Sequence, residues 1–480
     1  MTTRFATERL NPVKDVLAVF LVAWLLIAAS MSARSPTVPV ADAIGYVRLA
    51  LGLSDFGVFG YFANPVSPPK PDSEVTPLYP AFLAGLIRLD SGLHGALQCW
   101  VTHAGDAAGE CPRDFSTMAR AQGLLMAVFL FTVWMTGWLL SRSRVLAWLA
   151  MAMAWYSGLP VHYANLFLTE ALVLPLFGMF LLFLGLIYLY PGRWYWAAGA
   201  GLILGLLALT RPSFTYLFWF LAGAGVLATL GRSLRVQRMR SVCVFCLGFA
   251  LMTLPWVARN YSTFHHLMLS GGKYGGKTLA YRVSYNNMTA AEWGVAFIYW
   301  FPDIGDSLAK SLFPARLYER LGYGGKSYYR AGDSELQQAI RASGKSAGSP
   351  VRYLLKNKIL AHPVKHTLVT LALAWRGMFI HKYWSLFGWI GSLWLLGRTL
   401  RSRRYAYAFL WTPGLFMLFF HAAVSVSIPR YNVILTPLLS IAIAYLLLDI
   451  VSRRLGGGRF TGRIAGERGS ELYTSPKSRH

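Results

Sequence analysis

The sequence predicts an all-α polytopic membrane protein, and three observations carry that prediction. Hydrophobic residues make up 55% of the 480 and charged residues only 14%, with a mean hydropathy of +0.43. Soluble domains carry nearer a quarter of charged residues. Several apolar runs approach or exceed the ~20 residues needed to cross a hydrocarbon core. Basic residues also gather in alternate short connections between those runs, the asymmetry that orients membrane chains.

Taken in order, the runs predict a bundle of about ten transmembrane helices, at 15–33, 117–140, 145–162, 168–190, 194–210, 213–230, 241–257, 382–397, 405–424 and 432–450. One set of connections holds Arg142, Arg144, Arg193, Arg232, Arg235, Arg238, Arg240, Arg398, Arg401, Arg403 and Arg404, while the opposite short connections hold only Arg211 and Arg430. The bias places both termini in the cytoplasm and segments 34–116 and 258–381 outside. Residues 366–380 are apolar, yet a crossing there would carry the Arg398–Arg404 cluster outside, so they are read as an amphipathic or re-entrant helix at the outer surface. Four units follow: an N-terminal membrane module 1–257 that includes the outer segment 34–116, a large outer segment 258–381, the C-terminal spans 382–454, and a basic, glycine-rich tail 455–480 expected to be disordered. No cleavable signal peptide is expected, because 15–33 is long enough to span and no small-residue cleavage site follows it. No internal repeat is visible.

A net charge of +26 suggests nucleic acid at first sight. The basic residues lie in cytoplasmic connections and the tail, where they suit anionic lipid headgroups, and no soluble basic module is present. Cys99 and Cys111 share the first outer segment, where an oxidising compartment would allow a disulfide; two free thiols remain the alternative. Cys243 and Cys246 have CxxC spacing inside an apolar run and read as two small buried hydrophobes rather than a redox pair.

Gly271 to Thr278, GGKYGGKT, matches the phosphate-binding pattern GxxxxGK(S/T) letter by letter. That motif works between a buried strand and a helix with nucleotide at hand, and here it follows a membrane span on the outer side. It is read instead as a glycine-rich loop whose backbone N–H groups or Lys277 face the outer site.

Asp42 is the candidate base. It follows the first span, at the mouth of the bundle, where acids are scarce and costly. The plainer account is an N-cap for the helix that AIGYVRLALGL would form. The same segment gathers Tyr46, Arg48, Asp55, Glu74 and the turn Thr76-Pro77-Leu78-Tyr79-Pro80 into one outer vestibule, to which Tyr261 and Lys277 are added. Arg211, Arg259 and Arg430 each sit at the outer end of a span, against the positive-inside trend. Snorkelling to headgroups accounts for any one of them. Three on the side of Asp42 suit a phosphate, which guanidinium forks grip well. Glu170 opens a span on the same face, as a helix-capping acid, a metal ligand or an acceptor contact. Tryptophans and tyrosines of 256–300 suit an interfacial belt, with some free to stack on sugar rings. The histidine pairs His265 and His266, or His94 and His103, have no metal-ligand spacing.

In order along the chain come an Asp after the first span, a G-x-F turn (Gly57-Val58-Phe59), TPLYPAFLAG, a span opening with LTE, a span closing with TRP, PWVARNY, and PRY before the last span. This series resembles GT-C glycosyltransferases, in particular the bacterial branch of protein O-mannosyltransferases and the lipid A aminoarabinose transferase, over roughly residues 10–450. The resemblance implies an inverting transferase that takes a sugar (hexosyl or pentosyl) from a polyprenyl-phosphate carrier and delivers it to a lipid, glycan or protein acceptor. It implies the periplasmic face of a bacterial inner membrane, with amphipathic helices in the outer segments. Asp42 stands at the position of the family's catalytic acid, with Arg259, Arg211 and Arg430 on the donor phosphate. There are two departures. Relatives often carry an Asp-Glu pair where Ala43 follows Asp42, which leaves a divalent cation unassigned. Some carry a Lys near the proline-tyrosine turn, where this chain has Glu74-Val75-Thr76. The alternatives are a lipid-linked sugar flippase or transporter, which would favour internal repeats and broken helices, and a surface-polysaccharide polymerase or ligase.

Overall fold

A computed structural model describes residues 12–34, 36–39, 41–103, 111–230, 235–343, 349–403 and 405–454. Arg232, Arg404 and the tail 455–480 lie outside the described residues. Most of those described are helical, and they contain no strand. The order is α1 (Pro12–Ser32), α2 (Asp42–Phe56), α3 (Leu78–Leu89), α4 (Ser91–Thr102), α5 (Ser116–Ser141), α6 (Arg144–Tyr156), α7 (Leu159–Ala164), α8 (Glu170–Leu189), α9 (Trp194–Thr210), α10 (Phe214–Thr229) and α11 (Arg235–Phe264). There follow α12 (Lys273–Ser284), α13 (Ala290–Tyr299), α14 (Gly305–Leu312), α15 (Tyr328–Ser343), α16 (Ser349–Leu354), α17 (Pro363–Met378), α18 (Lys382–Arg401), α19 (Ala406–Val424) and α20 (Thr436–Arg454).

The expected spans fall on helices, except that 145–162 divides into α6 and α7 and 432–450 begins in the 3-10 turn Pro429–Leu435. Among the described residues, six stretches are long and apolar enough to cross a membrane: Lys14–Ser32, Ser116–Ser141, Glu170–Leu189, Val236–Phe264, Ala406–Val424 and Pro429–Arg454. This is a multi-pass membrane protein. Helices α9 and α10 are apolar but shorter, at 17 and 16 residues. Helix α17 is not among the six; it packs on α13 and α19.

Several boundaries differ from the sequence reading, each for a local reason. The run 145–162 breaks into α6 and α7 because Gly158 turns left-handed (φ 70°) and Pro160 starts a new helix. Helix α11 continues seven residues beyond 257 to Phe264, with Pro255 inside it, so PWVARNY is helical rather than the start of a loop. Its cysteines are not core residues: Cys243 is exposed and Cys246 half-buried. The glycine-rich stretch is a loop only as far as Gly272, which caps α12 at φ 82°; Lys277 and Thr278 are already helical. No strand precedes it, so the phosphate-loop geometry is missing. Cys99 and Cys111 are joined by a disulfide.

Helices α5, α8, α9 and α11 pack in succession, and α6, α18 and α20 form a second set that joins α5 through α6. Close approach of α9 and α11 depends on glycine. A Cβ at Gly201 would stand 2.1 Å from the Phe245 carbonyl oxygen. Charges divide between the two ends of the bundle. At one end Arg144 pairs with Asp15 (2.8 Å), and Asp449 with Arg453 (2.7 Å) and Arg398 (3.6 Å). At the other end the start of α2, the start of α8, the end of α9 and the 3-10 turn Pro429–Leu435 bring their ionisable residues together.

Candidate active site

Glu170 is the centre of that second cluster. It is the first residue of α8 and its side chain is fully buried. A buried carboxylate must be neutralised or it forfeits several kcal/mol of hydration. Two arginines supply the charge: Arg211 Nη2 lies 2.6 Å from Glu170 Oε1 and Arg430 Nε lies 3.1 Å from the same oxygen. Neither contact has the alignment of a hydrogen bond, so Oε1 is held by charge more than by direction. Arg211 also donates from Nε to Thr169 Oγ1 at 2.8 Å. Arg430 reaches across to Asp42, donating from Nη2 to Oδ2 at 2.7 Å.

Asp42 therefore does not cap its helix. It is the first residue of α2, the preceding Ala41 takes φ 49°, and no side chain caps the turn. The Asp42 side chain is 59% exposed. The result is an alternating chain, Asp42–Arg430–Glu170–Arg211, with an accessible carboxylate at its outer end.

The connection that leads into Glu170 is tied down by an amide and a phenol. Tyr79, from the TPLYP turn, donates its phenol to Gln122 Oε1 at 3.0 Å, and the Gln122 amide donates to the carbonyls of Ala164 and Leu166. That holds the connection that leads into Thr169 and Glu170. Tyr46 packs edge-on against Tyr79, with centroids 5.3 Å apart. Burial, with the neighbouring acids adding to it against Arg211, pushes the Tyr46 phenol up to about 12. It stays protonated at neutral pH and available as a hydrogen-bond donor.

The remaining sequence candidates fall elsewhere. Arg259 does not join Arg211 and Arg430. Helix α11 carries it past the bundle end, where it donates to the carbonyl oxygens of Asp72 (2.7 Å) and Phe59 (3.3 Å) and lies over the Phe59, Trp256 and Phe264 rings. It braces α11 against the loop 57–77. Glu74 sits against Gly271, whose N–H donates to Ser73 O at 2.8 Å. Lys277 lies 5.5 Å from the Tyr281 ring, Tyr261 is largely exposed beside His265, and Asp55 pairs with His94 at 3.0 Å. Two residues not picked out from the sequence bear on the site: Gln122 and Tyr329. The first had a signal, a lone amide inside an apolar helix. The second is brought in by long-range packing.

Arg259→Lys is expected to retain the helical fold but loosen the loop 57–77, since an ammonium cannot span both carbonyls. A loss of about 1–3 kcal/mol is expected. It would be read as faster proteolysis within that loop and a lower melting temperature in detergent. Wild-type protection in this variant would remove the bracing role.

A divalent cation needs several oxygens converging on one point. Asp42 and Glu170 each face a guanidinium within 3.1 Å. A cation placed between them would meet two fixed positive charges, so this donor set does not fit a metal. Among the described residues, Cys99, His103 and Cys111 are the one group of three with metal-ligating atoms in reach of one another, and its sulfurs are joined.

No family model and no curated protein matches the chain. Among solved structures it is similar to the archaeal oligosaccharyltransferase AglB from Archaeoglobus fulgidus in complex with an inhibitory peptide and a dolichol-phosphate, at 15% identity and a TM-score of 0.48, over 93% of this chain and 52% of that one. It is also similar to the Archaeoglobus fulgidus oligosaccharyltransferase tethered with an acceptor peptide containing the NVT sequon, at 13% identity and a TM-score of 0.47, with the same coverage. The chain spans about half the length of these proteins.

Proposed function

We propose that this protein is an inverting glycosyltransferase of the GT-C type, moving a sugar from a polyprenyl-phosphate carrier to an acceptor on the periplasmic face of a bacterial inner membrane, with Asp42 as the general base. The observation that carries the reading is the network itself: an accessible carboxylate linked through a shared arginine to a buried acid, at the mouth of an apolar bundle.

The chemistry balances with these groups. Asp42 accepts the proton of the acceptor hydroxyl as that oxygen attacks the anomeric carbon. The bond between that carbon and the phosphate oxygen breaks on the opposite face, and polyprenyl phosphate leaves. No general acid is required, because the leaving group is already a competent anion. The bound donor carries one negative charge, and the departing phosphate monoester about two. Positive charge must therefore be present where negative charge grows.

Arg430 is placed to supply it. Two acids and two arginines leave the resting network neutral, so it holds no unshared charge for a phosphate. Protonation of Asp42 weakens its hold on Arg430 at the moment when the phosphate gains charge. Arg430 passes from base to leaving group, and Arg211 stays with Glu170. The lipid tail of the carrier lies along the bundle, in the medium that matches it.

The test is sugar release by purified protein in detergent from a panel of radiolabelled polyprenyl-phosphate sugars, with a crude envelope extract as acceptor. Label leaving one donor and entering acceptor is the expected outcome. If no donor is consumed and proteoliposomes move lipid-linked sugar across the bilayer, the protein is a flippase. The ionisable cluster stands at helix ends rather than at mid-membrane, where transporters place theirs, and this favours transfer.

A further inference from the structure

The late outer segment contributes a wall of tyrosines for which the transfer chemistry above has no use. Arg376 is nearly buried and anchors it: its guanidinium donates to the phenol oxygens of Tyr285 (3.3 Å) and Tyr323, and lies over the rings of Trp300 (5.2 Å) and Tyr323 (4.9 Å). Tyr323 nevertheless leaves 52% of its surface open. It meets Tyr329 with ring centroids 5.4 Å apart at 74°, and Tyr329 meets Tyr281 at 4.8 Å and 67°. Tyr281 donates its phenol to Asp333 Oδ1 at 2.6 Å. Tyr281 and Tyr323 are thus anchored through their phenols, Tyr329 meets both at steep angles, and all three leave part of their surface open.

The wall reaches the Asp42 helix through the loop that follows it: Tyr61 in that loop shares a hydrogen bond with Tyr274 of α12 at 3.4 Å, and α12 packs along α15. Burial first, then Tyr323 and Asp42, raise the Tyr329 phenol, in keeping with that placement. An interfacial belt would set such rings singly against headgroups. These rings pack against one another, an arginine and an acid.

We propose that Tyr323, Tyr329 and Tyr281 form the acceptor subsite and that the acceptor is a carbohydrate, a pyranose chain whose terminal hydroxyl is presented to Asp42. The proposal rests on the transferase reading of the same site. A pyranose has an apolar C–H face bounded by hydroxyls. Tyrosine offers the matching surface, a ring to pack on and a phenol at its edge to share a hydrogen bond. Because Arg376 and Asp333 already fix two of the three side chains, little rotamer freedom is left to lose on binding.

Binding can be measured without donor, which separates this proposal from the transferase reading: the release assay reports that reading, and binding reports the wall. Purified full-length protein in detergent would be applied to an array of defined neutral and acidic oligosaccharides beside an array of unmodified peptides. Retention on a saccharide is expected, weakened about ten-fold or more by Tyr323→Ala and by Tyr329→Ala. Tyr329→Phe keeps the ring and is expected to stay within about three-fold of wild type. It also serves as the control for folding. The proposal is overturned by retention on peptides alone, by silence across the saccharides, or by saccharide binding that both alanine variants leave intact.

Discussion

Asp42→Asn is expected to abolish sugar transfer while the protein binds the carrier phosphate more tightly than wild type does. The first half follows from the base role. An amide cannot take the acceptor proton, and loss of general-base assistance costs on the order of 10²- to 10⁴-fold in turnover. The second half follows from the geometry. Arg430 spends Nη2 on Asp42 at 2.7 Å in the resting site. Remove the charge on Asp42 and that guanidinium edge is released to a phosphate, while Glu170 still holds the arginine in place through Nε. A several-fold gain in affinity for polyprenyl phosphate, at most about ten-fold, is the scale of one charge-assisted contact in a wet site.

Both halves are measurable on one preparation, transfer by radiolabel and affinity by equilibrium binding of polyprenyl phosphate. Full transfer in the variant would remove Asp42 from catalysis. Weaker phosphate binding would remove the shared arginine, because it would mean that Asp42 helps to hold the ligand rather than competing for Arg430.

The cluster is legible in the sequence for an energetic reason. Acids and arginines are expensive at the ends of apolar helices. Asp42, Glu170, Arg211 and Arg430 all fall on the sparsely charged side of the bundle, so they must find partners, and one another is what they find. Arg259 meets the same criterion and goes elsewhere, because α11 does not stop where its apolar run stops. Seven more helical residues carry the guanidinium to the Phe59 and Asp72 carbonyls. Hydropathy reports where a helix is comfortable in lipid, not where its hydrogen bonding ends. The break at Gly158 is written in local punctuation, Gly then Pro two residues on, and is hidden by the apolar residues on either side. Tyr329 is not legible at all. Tyrosine is common in this chain, with 25 copies, and only the packing of α12 against α15 selects this one.

Glu170→Gln is expected to be the most destabilising conservative change in the chain. The substitution keeps volume and removes the one charge that two arginines share. Arg211 and Arg430 are 15% and 30% exposed, so neither regains full hydration where it stands. Breaking a buried ion pair from one side costs about 3–5 kcal/mol, and the partial exposure of Arg430 puts the expected loss near the lower end. Detergent-solubilised protein unfolds irreversibly as a rule, so the readout is the half-life at a fixed temperature beside the wild type. A second substitution separates charge from shape. Arg211→Met in the Glu170→Gln background removes one stranded cation, and it should recover part of the lost half-life, a coupling of the size seen for residues in one network. Arg211→Met alone should destabilise, because it leaves Glu170 with Arg430 only. If Glu170→Gln is as long-lived as the wild type, the acid is not the keystone of the network, and the position of Arg430 beside Asp42 needs another cause.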